Sequence, residues 1–170
     1  MHLFLTLATP HLGYAKQTQI SGWIVNAAVQ ILRKLDTTSA CLKELTHSDQ
    51  PDADGRRYLD RQARSPCLSW FRHVAFVSSV NDSFVQTASA LAFVGDAEVS
   101  AKLAPQTRRI GEAMAKYLDA RRVLRLHVDF GRLKSTSRLD WVVGRAPHIE
   151  FLLSHRFVGM FCAAYPNLFD

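Results

Sequence analysis

Three stretches of the chain carry the hydrophobic pattern of strands. Residues 3–8, LFLTLA, form an apolar run ended by Thr9-Pro10, the pattern of a parallel strand buried on both faces. Residues 73–80, HVAFVSSV, are β-branched and apolar and end at the turn-forming Asn81-Asp82-Ser83. Residues 123–130, VLRLHVDF, alternate more than the others, which predicts a strand nearer a sheet edge. Between and after these runs the apolar period becomes helical. Residues 22–35 place apolar side chains at 24, 25, 28, 31, 32 and 35. Thr38-Ser39 precede a short helical segment, ACLKELT, and residues 56–63, RRYLDRQA, predict another after the polar turn SDQPDADG. Residues 105–119 start on Pro105 and carry Ile110, Ala113, Met114, Tyr117 and Leu118 on one face. Pro147 opens a helix through about residue 153, and RFVGMFCAAY continues as a last one.

Strands separated by helices predict an α/β fold with a parallel sheet. No repeat, low-complexity tract or linker divides residues 1–170, which read as one unit. Three strands are few for such a sheet. The first is the most apolar, yet later strands can serve at most one of its sides. A bare apolar edge is one that native domains avoid. The expectation is therefore the C-terminal half of a larger α/β domain, with the missing strands lost by truncation or supplied by another chain.

Composition narrows the partners. The chain is 48% hydrophobic and 21% charged, which suits a packed core and excludes disorder. The net charge of +6 comes from scattered pairs such as Arg56-Arg57 and Arg121-Arg122, not the stripe with interleaved aromatics of a nucleic-acid groove. It suits a weak preference for anionic lipid surfaces. Cys41, Cys67 and Cys162 are odd in number, widely spaced and set among apolar residues, which reads as buried free thiols and not as a disulfide framework or zinc site. Trp23, Trp70 and Trp141 read as core or pocket lining. No run approaches the ~20 residues of a membrane span. The opening HLFLTLA lacks a basic leader region, so it reads as a strand, and the chain as cytoplasmic.

In open α/β sheets, ligands and catalytic groups gather at the carboxyl ends of the strands. Three features fall there: Thr9-Pro10-His11-Leu12-Gly13, then Asn81-Asp82-Ser83, and beyond a loop Gly144-Arg145-Ala146-Pro147-His148. An acid after one strand and a histidine after the next is the order of an α/β-hydrolase triad. Serine is a poor nucleophile at neutral pH, so an imidazole must take its proton. A carboxylate then holds the imidazole in one tautomer and stabilises the imidazolium. Taken alone, Asp82 also reads as a turn former and His148 as an ordinary first-turn helix residue.

The segments LTLATPHLG, FRHVAFVSSVNDSFVQTASA and DWVVGRAPHIEFL resemble the C-terminal half of the eukaryotic putative serine esterase family, a group of lipase-like α/β-hydrolases. The resemblance runs from about residue 3 to about residue 165. It implies hydrolysis of carboxylic esters, of lipid or acyl type, with Asp82 as the acid and His148 as the base and with no metal or organic cofactor. Pro10, His11 and Gly13 then belong to the loop beside the site, where His11 shapes the pocket wall or braces the loop. The family's nucleophile stands in a G-x-S-x-G elbow ahead of strand 3–8, and no such motif occurs in these residues. Ser21, Ser78, Ser79 and Ser154 lack the strand–turn–helix setting that presents a nucleophile. Catalysis would need the missing N-terminal half. The alternative is a non-catalytic module that binds a protein or membrane surface.

Overall fold

The computed structural model describes residues 1–14, 40–82, 85–95, 101, 103–130 and 150–170. The predicted helix over 22–35 and the residues around His148 lie outside that set, as do Ser83, Trp23 and Trp141.

The described residues hold three strands, β1 (Leu3–Leu7), β2 (His73–Ser79) and β3 (Val123–Val128). They form one parallel sheet in the order β1-β2-β3. Leu3 pairs with His73 and Leu7 with Val77. Val74 pairs with Val123 and Ser79 with Val128. The central place falls to β2, which is buried from Val74 to Ser79, whereas every residue of β1 keeps some exposure. Strand β3 lies at an edge, as its alternation predicts, whereas β1, read from its apolar run as buried on both faces, is an outer strand among the described residues.

Helices cover both faces, as a parallel sheet requires. They are α1 (Ala40–Leu45), α2 (Tyr58–Ala63), α3 (Thr87–Ala90), α4 (Pro105–Ala115) and α5 (His155–Ala164), and residues 150–153 are also helical. Side chains alternate across β2, so successive residues feed two separate cores. Val74 and Phe76 pack with Leu12, Ile110, Ala113 and Met114 under α4. Ala75 and Val77 pack with Phe151, Phe161 and Leu168 on the opposite face. Phe76 is fully buried, and truncating such a residue costs about 3–5 kcal/mol.

Two polar groups fasten the first layer. Asp60 on α2 is buried and pairs with Arg64 at 3.3 Å and with Arg109 of α4 at 3.2 Å. Arg125 of β3 lies over the rings of Phe76 and Phe93 and donates to the Leu91 carbonyl at 3.0 Å. That hydrogen bond holds the segment following α3 onto the sheet.

Several expectations need correcting. The cysteines are free, but Cys41 and Cys162 are exposed and Cys67 is only half-buried. The short helix α1 and the 3₁₀ turn Pro66–Trp70 bury no residue, and α5 buries only Phe161, so apolar neighbours in sequence do not enclose them. Trp70 is also exposed, at the amino-terminal edge of the sheet. Helix α4 stops at Ala115 although its apolar spacing continues. The N–H groups of Tyr117 and Leu118 bond three residues back, to Met114 and Ala115, and this tight turn sends the chain toward β3.

Candidate active site

The carboxyl end of the sheet is built from the segments that leave β1, β2 and β3. After β1 the chain turns sharply at Ala8, a buried non-glycine residue with φ of 49°. Its N–H still bonds to the Val77 carbonyl at 2.8 Å, so the ladder holds the residue in a backbone region that costs energy for a side chain. The turn is then closed by the Gly13 N–H on the Pro10 carbonyl at 3.1 Å.

This Pro10–Gly13 loop is clamped on two sides. Ser89, buried on α3, accepts from the Leu12 N–H at 3.0 Å and donates to the Gly13 carbonyl at 2.8 Å. On the other side the Tyr14 N–H bonds the Leu45 carbonyl at 2.7 Å, and His47 Nε2 donates to the Leu12 carbonyl at 3.1 Å. Gly13 has φ of 82°, and a Cβ there would come within 2.6 Å of the Leu45 carbonyl oxygen. Only glycine fits both the dihedral and the space.

His11 turns back toward the sheet. Its Nε2 lies 2.9 Å from Thr6 Oγ1, and its ring meets Phe76 edge-on with centroids 4.9 Å apart. Burial pushes its pKa down to about 4, so the imidazole is neutral at pH 7 and acts as a packed, hydrogen-bonded brace. Burial also lowers the pKa of His47.

Asp82 follows the central strand. Its N–H bonds the Ser79 carbonyl at 3.3 Å, and its Oδ1 accepts from the Val85 N–H at 3.1 Å. The carboxylate therefore ties the end of β2 to Val85, ahead of α3. Burial raises the pKa of the Tyr14 hydroxyl, and the negative charge of Asp82 raises it further. Hence the residue that ends the β1 loop stands within electrostatic reach of the acid after β2. The structure thus gathers Pro10, His11, Gly13 and Asp82 at one end of the sheet. His148 lies outside the described residues.

No serine in the described residues occupies a nucleophile setting. Ser78 and Ser79 are buried within β2. Ser154 caps α5, accepting from the Phe157 N–H at 3.1 Å. Among the described residues no His, Cys, Asp and Glu cluster could hold a metal ion. Beyond β3, a groove of about 610 Å³ runs between His127–Phe130 and the face of α5 that carries Arg156, Phe157, Met160 and Phe161, with Glu150 before the helix and Tyr165 just past its end. Phe130 packs against Phe151 there, with centroids 4.8 Å apart.

Sequence reasoning missed Ser89, His47 and Tyr14. The Ser89 clamp spans 77 residues of chain, and no local pattern announces a contact of that separation. The chain also matches a family model described as Putative serine esterase over residues 1–97, more than half its length. No solved structure matches it.

Proposed function

Because the chain belongs to the Putative serine esterase family, we propose that it supplies the acid and base of a carboxylic-ester hydrolase whose substrates are lipid or acyl esters. In this reading residues 1–170 are the C-terminal half of an α/β-hydrolase domain. Asp82 orients His148, and His148 takes the proton of a serine that lies outside these residues. As the ester bond breaks, His148 returns that proton to the leaving alkoxide. Water then releases the acyl group from the serine, with His148 again as base.

The observation that supports this reading best is the position of Asp82. It follows the central strand of a parallel sheet, at the edge where such folds bind ligands. The loop after the neighbouring strand is fastened beside it by Ser89 and His47. A second reading, a non-catalytic module that binds a protein or membrane surface, requires that no G-x-S-x-G elbow joins these residues in the gene product.

Nitrophenyl butyrate hydrolysis separates the two. The 170-residue chain alone is expected to show no rate above buffer. A gene product extended upstream through a G-x-S-x-G elbow is expected to hydrolyse the ester, and Asp82→Asn or His148→Ala in it to lower kcat about 10⁴-fold. If no such elbow exists upstream, the module reading stands. If the chain alone turns over and His148→Ala leaves the rate unchanged, the triad assignment is wrong.

A further inference from the structure

The amino-terminal edge of the sheet, the end away from Asp82 and the Pro10–Gly13 loop, carries a cavity that ester hydrolysis does not use. Its volume is about 530 Å³, within the range of small-molecule sites. Trp70, Phe71, Arg72 and His73 line it from the start of β2, and Arg122 from the approach to β3. The backbone there is fastened. The Ser69 hydroxyl donates to the Pro66 carbonyl at 2.6 Å, the Phe71 N–H bonds the Leu68 carbonyl at 3.3 Å, and the Arg72 N–H bonds the Met1 carbonyl at 3.0 Å.

The charges at this edge favour an anion. Arg72 forms no ion pair among the described residues. Arg122 meets Asp119 at 3.6 Å through Nε, in an exposed pair, and its terminal nitrogens make no hydrogen bond among the described residues. Asp119 is the one carboxylate among the described residues that line this cavity and the smaller one adjoining it. Burial lowers the pKa of His73, and the neighbouring charges of Arg72, His2 and Arg122 lower it further. The Met1 amine, donating to the Trp70 carbonyl at 3.1 Å, adds to the same positive field. Like charges gathered in this way are relieved by a bound anion.

Trp70 indicates what else the anion carries. Its side chain is 61% exposed and makes no ring contact among the described residues, whereas Phe71 beside it packs on Phe4 with centroids 5.2 Å apart. An unengaged indole next to guanidinium groups offers its face to a planar ring. A guanidinium fork matches phosphate geometry, and a phosphate dianion answers two cations where a carboxylate answers one.

We infer that Trp70, Arg72 and Arg122 form a binding site for a small organic phosphate that carries a planar ring, of the nucleotide class. The two guanidiniums take the phosphate and the indole takes the ring. The length of β2 separates the site from Asp82, and binding needs no catalytic step, so its test does not depend on esterase activity.

Isothermal titration calorimetry of the 170-residue chain with adenosine 5′-monophosphate supplies that test. The wild type is expected to bind with a Kd below about 1 mM, and to bind adenosine or inorganic phosphate about tenfold more weakly. Arg72→Ala and Arg122→Ala should each weaken binding by about tenfold, and Trp70→Ala by about fivefold or more. All three side chains are exposed, so the variants should keep their far-UV circular dichroism. Arg156→Ala removes the same charge beyond the opposite end of the sheet and should leave the affinity within about twofold. A wild type that does not bind the monophosphate overturns the inference. So does an equal loss in Arg156→Ala and Arg72→Ala, which would assign binding to net charge alone. Adenosine binding as tightly as the monophosphate would remove the arginines from the site, and inorganic phosphate binding as tightly would remove Trp70; either result overturns the assignment.

Discussion

His11 and Gly13 show how two side-chain identities fix the loop that follows β1. A histidine with a pKa near 4 in the fold and 6.5 as its ordinary value binds fewer protons folded than unfolded over that interval. Stability therefore falls as the pH drops from about 6.5 toward 4 and levels off below. The full span corresponds to about 3 kcal/mol. His47 is depressed in the same direction and adds to the acid limb. His11→Gln keeps a partner for Thr6 but does not titrate. Urea unfolding between pH 4 and 7 is expected to show a flatter acid limb in this variant, with stability at pH 7 lower by about 1–2 kcal/mol through lost packing on Phe76. An unchanged limb would mean that His11 is not the group responsible. Gly13→Ala meets two obstacles at once, a φ of 82° and the Leu45 carbonyl. It is expected to cost about 2 kcal/mol or more in the same measurement.

Among the elements, α2 and α4 offer a direct comparison of two neighbouring arginines. Arg109 reaches the buried Asp60 at 3.2 Å, whereas Arg108 meets the exposed Glu112 at 3.9 Å. Removing Arg109 leaves a carboxylate with essentially no solvent contact dependent on Arg64 alone, so Arg109→Ala should cost about 2 kcal/mol. Arg108→Ala breaks an exposed pair and should cost less than about 0.5 kcal/mol. Equal shifts in the two urea midpoints would remove Asp60 from the account of how these helices are held. The strands were legible because three apolar runs separated by helical spacing leave little choice but a parallel sheet. Their observed ends fall one or two residues short of the pattern, since Ala8 turns away under φ strain and Asp129 follows the last β3 pair. The end of α4 was not legible, because Tyr117 and Leu118 continue the period while the backbone bonds have already tightened. Exposure of Cys41 and Cys162 was hidden for a related reason: periodicity shows which face is apolar, not how much of it finds a partner. At the candidate site the type and order of Asp82 and the Pro10–Gly13 loop could be read from the chain. Their fastening by Ser89 and His47 could not, because it comes from tertiary hydrogen bonds.

At the scale of the whole molecule, the sheet is asymmetric in what its outer strands leave unbonded. The Ala8 N–H donates to Val77, and the His2 carbonyl accepts from His73. Alternation along a parallel strand then turns the even residues of β1 toward β2 and the N–H groups of Leu3, Leu5 and Leu7 toward the outer edge. Among the described residues no strand pairs with that edge. Amide hydrogen exchange of the 170-residue chain should therefore split β1 by parity. Phe4 and Thr6 are expected to exchange slowly, together with the buried residues of β2, whose opening requires unfolding of the sheet. Leu5 and Leu7 are expected to exchange faster by an order of magnitude or more. If the domain is completed by a strand outside these residues, the same two amides become as protected as Phe4 and Thr6 in the longer gene product, because each gains a ladder partner. Uniform protection along β1 in the 170-residue chain would show that this edge is already covered, and the half-domain reading would lose its structural basis even if the triad residues proved essential.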